Sequence, residues 1–129
     1  MAVINYSGVG MSAIAACVPP RINSNYDLGY ILDDSTVESM IKSIGIKEKR
    51  FVDPGVCTSD LCFRAAERLL DDGSVDRSSI DMVIFLSMTP DYIMPPTSSL
   101  LQHRLGLPQE TACLDLSLAR SGFVYALST

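Results

Sequence analysis

Val37, Met40, Ile41 and Ile44 recur at i, i+3, i+4 and i+7, the spacing of one helical face. Asp33, Asp34, Ser35 and Thr36 form a capping cluster ahead of them, and Gly45 follows as a C′ residue, so a helix is expected between. The clearest helix comes next. Leu61, Ala65, Leu69 and Leu70 line one side of it, Thr58 or Ser59 caps it, Asp60 places a negative charge in the first turn, and Gly73 ends it. A third starts at Pro95-Pro96-Thr97-Ser98, turns Leu100, Leu101 and Leu105 inward, and stops at Gly106. Asn25 is expected to cap a short helical piece holding Tyr26, Leu28 and Ile31.

Three stretches have the pattern of strands. Val9 to Val18 is rich in small apolar residues and reads as a first, buried strand ended by Pro19-Pro20. Met82 to Leu86 is a continuous apolar run, which suits a sheet covered on both faces. A last strand opens the stretch Ala112 to Thr129. Between these lie a basic extended piece, Ile46 to Phe51, a Pro54-Gly55 turn, a polar loop from Asp76 to Ser79, and a loop starting at Thr89-Pro90-Asp91. Strands alternating with helices predict an α/β fold with a mostly parallel, layered sheet.

The last stretch organises the rest. Its strand breaks at Ala119-Arg120-Ser121-Gly122 and resumes as Phe123 to Leu127, apolar nearly all round, the pattern of a buried central helix. A strand-to-helix junction puts one side chain at a helix N-terminus, where the dipole favours an anion such as a thiolate. Here that side chain is the cation Arg120. No cap or polar tail follows the helix before Thr129, so the expected organisation is a single half-domain over 1–129, truncated within the central helix.

Composition narrows the function classes. Apolar residues make up 47% and charged residues 19%, enough for a core and against disorder. A net charge of −5 argues against a nucleic-acid partner. No apolar run reaches the ~20 residues that span a bilayer. Ile14 to Cys17 resembles a lipoprotein cleavage box, but no Lys or Arg precedes Arg21, so it reads as strand. Cys17, Cys57, Cys62 and Cys113 form no CxxC pair and His103 is the one histidine; neither a metal site nor a disulfide framework is expected, and the thiols fit a reduced, cytoplasmic protein.

Leu114 to Ser128 resembles the active-site segment of the β-ketoacyl-acyl-carrier-protein synthase III family. Weaker likenesses follow in the right order. Asn25-Tyr26-Asp27-Leu28 is similar to that family's T-N-x-D-L, and Ile44 to Arg50 to its T-G-I-x-x-R. Asp81 to Leu86 with Thr89-Pro90-Asp91 and Pro95 is similar to its second strand and following loop. The resemblance covers essentially the whole chain, but only the first half of a family member. It implies a thiolase fold and an acyltransferase that starts fatty-acid synthesis. A cysteine takes an acyl group from an acyl-CoA or acyl-carrier-protein thioester; the acyl enzyme then condenses with malonyl-acyl-carrier protein, losing CO₂. It also implies a homodimer with no cofactor, and a histidine and asparagine supplied by the second half.

Two departures bear on activity. Arg120 aligns with the family's nucleophilic cysteine, and guanidinium stays protonated and cannot attack a thioester. Cys113 lies seven residues earlier, and Ser121 is not set in a G-x-S-x-G elbow. The second half's histidine and asparagine are absent too, and His103 reads as a helix-surface residue, so the chain as written is expected to be inactive. A third departure concerns priming: the chain has no Trp, and Ser39 and Ser43 stand near or at the positions where the family often carries a CoA-stacking tryptophan and an arginine. Met94 aligns with a residue that in the family reaches into the partner's acyl pocket; it is equally readable as a loop methionine. Phe123 is expected beneath the site, which hardly differs from core filling. Lys47 and Arg50, with Lys49 and Arg21, form either a basic rim for a phosphate or a solvated strand face. Asp115, charged within an apolar strand, is expected to be hydrogen-bonded and structural. Two alternatives stay open: a non-catalytic thiolase-fold binding or association protein, and another thiolase-fold branch such as hydroxymethylglutaryl-CoA synthase or a polyketide synthase.

Overall fold

Capping chemistry sets where several helices of this chain begin, and glycines set where several of them end. The computed structural model describes residue 3, residues 5–73 and residues 75–129, with the side chains of 28–30 excepted. In chain order the elements are β1 (Arg21–Ser24), a 3-10 helix (Asn25–Tyr30), α1 (Asp34–Ile44), β2 (Glu48–Phe51) and α2 (Thr58–Asp71). A 3-10 turn (Arg77–Ser79), β3 (Met82–Leu86), α3 (Thr97–Arg104), β4 (Ala112–Leu116) and α4 (Gly122–Ser128) follow. They form two compact units: Val18–Val56, and Met1–Cys17 together with Cys57–Thr129.

In the unit Val18–Val56, β1 and β2 pair antiparallel with Arg21 opposite Phe51 and Ser24 opposite Glu48. Asp33 caps α1 by accepting the Thr36 N–H, and Gly45 closes it at φ 80 with its N–H on the Ile41 carbonyl. Val37 and Ile41 are buried, while Met40 and Ile44 at the flanks of the expected stripe are exposed. The short helical piece differs from expectation. Ser24 Oγ, not Asn25, accepts from the Tyr26 N–H. The Asn25 amide donates instead to the Ile46 carbonyl at 2.9 Å, and the Asn25 N–H to the Lys47 carbonyl at 2.8 Å, which ties the turn to the approach of β2. Tyr26 and Ile31 are exposed, so they form no packed face, and the side chain of Leu28 lies outside the described residues.

In the other unit, β3 and β4 pair in parallel from Met82 opposite Ala112 to Leu86 opposite Leu116. The helices α2 and α3 cover this pair, and Leu70, Phe85, Leu101 and Leu105 make the core, with Cys62, Phe63 and Ala66 packed against it. The inward face of α2 is therefore rotated from the expected one: Ser59, Ala66 and Leu70 carry it, because the core lies against Phe85 and the α3 leucines. Cys57 is the N-cap of α2, its N–H held by the Asp60 carboxylate at 2.9 Å, which frees Thr58 and Ser59 for other partners. Arg104 joins α3 to α2, bonding Asp60 at 2.9 Å and lying 4.4 Å from the centroid of the Phe63 ring.

The expected first strand is extended but unpaired. Residues 13, 15 and 17 are half-buried while 14 and 16 are exposed, the alternation of a strand with one side against protein. It makes no ladder among the described residues, so the parallel sheet of this unit has two strands.

Candidate active site

Parallel strands leave an opening at their carboxyl ends, where ligands of α/β proteins bind. In this unit that edge is built by a chain of hydrogen bonds. The Ser87 N–H continues the ladder to the Leu116 carbonyl. Thr89 Oγ1 meets Thr58 Oγ1 at 2.9 Å, and Ser59 Oγ donates to Asp91 Oδ2 at 2.5 Å, so the loop after β3 is fastened to the start of α2. The Asp91 N–H donates to Thr97 Oγ1. Asp115, in the middle of β4, accepts the N–H groups of Thr97 and Ser98 at 2.7 and 2.8 Å. Those are the first two residues of α3, both fully buried, and Pro96 as N-cap offers them no side-chain acceptor. The carboxylate thus serves as their cap from another element. Burial raises the Asp115 pKa, but hydrogen bonding from Ser98 and Thr97 outweighs this and holds it below the usual carboxylate range. The expectation that Asp115 is hydrogen-bonded is met.

A cleft of about 300 Å³ opens here, lined by Phe85, Ser87, Tyr92, Ile93, Asp115 and Ser117 among others. No thiol or imidazole is among its lining residues. A second cleft of about 700 Å³ is lined by Phe123, Phe85 and Leu86 among others.

The strand-to-helix junction follows β4 directly. The Gly122 N–H bonds the Ala119 carbonyl, and those of Val124 and Tyr125 bond the Ser121 carbonyl. Gly122 is buried; a Cβ there would lie 2.4 Å from Leu86 Cδ1 and 2.9 Å from Leu118 Cβ, so the close approach of α4 to β3 requires glycine. Arg120 stands on this turn with an exposed side chain and, among the described residues, no hydrogen bond or ion pair. Exposure removes the cost that a buried, unpaired guanidinium would carry. It leaves a solvated cation on the turn between β4 and α4.

The expected site residues are divided between the two units. Arg120 and Phe123 share the junction. Met94 is 83% exposed on the loop between β3 and α3, just before a cis Pro95, while its neighbours Tyr92 and Ile93 line the first cleft. Lys47 and Arg50 belong to the unit Val18–Val56, where Arg50 Nη1 donates to the Pro19 and Pro20 carbonyls at 3.1 and 3.2 Å. On the central helix Phe123, Val124, Tyr125 and Leu127 all lie open, the apolar patch that an incomplete fold around a central helix would leave. His103 is exposed on α3, and the Cys113 thiol is directed at the Thr111 carbonyl at 3.6 Å. Sequence reasoning missed the Ser59–Asp91 and Thr58–Thr89 links. Their only local signal was a run of hydroxyl residues at the start of α2.

No family model matches the chain. Individual proteins do. The chain is 42% identical to a β-ketoacyl-acyl-carrier-protein synthase III of Aliarcobacter butzleri over 117 residues, which is 90% of this chain and 34% of that protein. With the corresponding protein of Koribacter versatilis it is 35% identical over 119 residues, 92% of this chain and 35% of that one. Among solved structures, a 3-oxoacyl-(acyl-carrier protein) synthase of Burkholderia xenovorans superposes with a TM-score of 0.81 at 37% identity, covering 89% of this chain and 34% of its own. OleA of Xanthomonas campestris shares the fold, with a TM-score of 0.75 at 24% identity over 91% of this chain and 36% of its own. The chain spans about a third of the length of the curated relatives it matches. Over that third the chain is similar in sequence to the β-ketoacyl-acyl-carrier-protein synthases III and has the same thiolase-like fold.

Proposed function

We propose that the chain is the N-terminal half-domain of a condensing acyltransferase of the β-ketoacyl-acyl-carrier-protein synthase III type, and that Arg120 leaves it unable to accept an acyl group. The observation that carries this reading is the junction: β4 runs into α4 through a turn whose buried Gly122 packs against Leu86, and the residue on that turn is Arg120. Acyl transfer from a thioester needs a nucleophile with a free electron pair, which a thiolate has and a protonated guanidinium lacks. In the proposed full-length enzyme the substrates are an acyl-CoA or acyl-carrier-protein thioester and malonyl-acyl-carrier protein, and the protein is a cytoplasmic homodimer. Met94 and Phe123 contribute to its acyl pocket and Lys47 and Arg50 to phosphate contacts. Lys47 is the freer of the two cations, since carbonyl oxygens engage Arg50.

Mass spectrometry after incubation with acetyl-CoA tests the reading. The native chain stays unacylated apart from slow background at the exposed Cys57 thiol, and Arg120→Cys gains an acetyl group at residue 120 in excess of that background. Stoichiometric acylation of the native chain would refute the inactive state. An Arg120→Cys chain acylated no faster than Cys57 would remove the junction as the acyl site. A second reading, a thiolase-fold binding protein without chemistry, draws on the same solvated Arg120. It predicts saturable acyl-CoA binding to the native chain that Arg120→Cys weakens.

A further inference from the structure

The four cysteines of this chain are free thiols, and acyl chemistry at the junction uses none of them. Two of them, Cys17 and Cys62, belong to one unit, although the whole of Val18–Val56 separates them in sequence. Cys62 is half-buried on the inward side of α2, packed against the core of Leu70, Phe85, Leu101 and Leu105, and it lines the cleft of about 700 Å³. Ala13 and Ala15, from the extended segment Val9 to Val18, line the same cleft. In that segment residues 13, 15 and 17 are the half-buried ones. Side chains two apart on an extended chain share a side, so Cys17 continues the row that Ala13 and Ala15 turn toward the Cys62 cleft. Burial above all pushes the Cys62 thiol up, and the charges of Asp91 and Cys17 add to this, which places the Cys17 sulfur within electrostatic reach. The segment makes no ladder among the described residues, so it can shift toward α2 without breaking a strand pairing.

We infer that Cys17 and Cys62 form a dithiol site that small disulfides of the glutathione class oxidise to an intrachain disulfide, pinning the N-terminal segment to α2. A reversible bond of this kind is not a structural framework and is compatible with a reducing compartment. The exchange balances. The Cys17 thiolate attacks one sulfur of glutathione disulfide, forming a mixed disulfide and releasing one glutathione thiolate. Cys62 gives its proton to solvent and attacks the Cys17 sulfur, releasing the second glutathione. Two protein thiols are oxidised to one S–S bond, and one glutathione disulfide is reduced to two thiols. Cys62 acts second because a half-buried thiol pushed up by its surroundings is a poor opening nucleophile at neutral pH. The other cysteines fit less well. Cys57 is exposed at the N-cap of α2, and the Cys113 thiol is directed at the Thr111 carbonyl. The bond closes a loop containing all of Val18–Val56, so it restricts the unfolded chain and stabilises the folded one.

The test uses the 129-residue chain carrying Cys57→Ser, since serine is itself a good N-cap. Trypsin then yields one peptide, 1–21, whose only thiol is Cys17, and another, 51–64, whose only thiol is Cys62. After incubation with glutathione disulfide, mass spectrometry without reduction should find these two peptides joined within a monomeric chain, and dithiothreitol should part them. Thermal unfolding followed by circular dichroism should move up by about 5–15 °C on oxidation. Dithiothreitol, Cys17→Ser or Cys62→Ala should each remove that shift. Should either of these variants fail to fold, the peptide linkage in the Cys57→Ser chain decides by itself. Glutathione retained on Cys17 or Cys62 with no link between them, a link between chains, a link to Cys113, or unfolding that does not move up on oxidation would each overturn the inference.

Discussion

Asp115→Asn should cost more stability than any change at the exposed residues around it. The carboxylate makes two charge-assisted hydrogen bonds, at 2.7 and 2.8 Å, to N–H groups of the fully buried Thr97 and Ser98. Such bonds are worth about 1.5–3 kcal/mol each, and a buried donor left alone costs about 1–3 kcal/mol. Asparagine keeps one acceptor oxygen and turns an NH₂ group toward the second N–H. It should lose roughly one bond, about 2–3 kcal/mol, while Asp115→Ala loses both, about 3–5 kcal/mol. Against a total stability of about 5–15 kcal/mol these are large fractions. With a urea slope of about 1–3 kcal/mol/M, the midpoint for Asp115→Asn should fall by about 0.7–3 M in far-UV circular dichroism. The pH dependence has a definite sign. Hydrogen bonding holds the folded pKa below its unfolded value of about 3.9, so the carboxylate's contribution is fully present above that value and fades as the pH falls through the folded pKa. The gap between native and Asp115→Asn midpoints should stay constant from pH 7 to pH 5 and shrink below about pH 4. A native-like midpoint for Asp115→Asn at pH 7, or a gap that widens in acid, would refute the capping role.

Gly122→Ala forces a Cβ to within 2.4 Å of Leu86 Cδ1 and 2.9 Å of Leu118 Cβ. The leucine tip can rotate but the Leu118 Cβ cannot, so thermal unfolding should show a loss of about 1–3 kcal/mol despite alanine's better helix propensity. Leu101→Ala, at a site 4% exposed in the core, should lower stability by about 2–5 kcal/mol in the same assay, where a loss under about 1 kcal/mol would mean the core lies elsewhere. The open Phe123, Val124, Tyr125 and Leu127 side chains make an apolar patch, so sedimentation velocity should show concentration-dependent association that Val124→Glu reduces. A native chain that stays monomeric at high concentration would argue against this surface being sticky.

Helix boundaries were largely legible along the chain because caps act within one turn. The Asp33 cluster, Gly45, Gly73 and Gly106 all sit where their chemistry places them, each of those glycines with positive φ. The strands Met82–Leu86 and Ala112–Leu116 announced themselves as apolar runs. The turn carrying Arg120 was legible for the same reason, as a break between two apolar stretches. Failures came where partners are distant. The cap of α2 passed from Thr58 or Ser59 to Cys57, because those hydroxyls are drawn to Thr89 and Asp91, more than thirty residues away. Val9 to Val18 has the composition of a strand, but a strand is defined by a neighbour, and among the described residues no ladder forms there.

Burial separates the two kinds of information most sharply. Local order alone identifies Phe123 to Leu127 as an apolar helix and Arg120 as a cation at its start, since periodicity and charge are properties of neighbours in sequence. Whether that helix is covered, whether the guanidinium is solvated, and which N–H groups Asp115 caps depend on what other segments occupy the surrounding space. Those segments meet through contacts that no periodicity encodes, which is why the cap joining β4 to α3, the glycine contact beneath α4 and the cleft that Cys62 shares with Ala13 and Ala15 emerge only once the chain is folded.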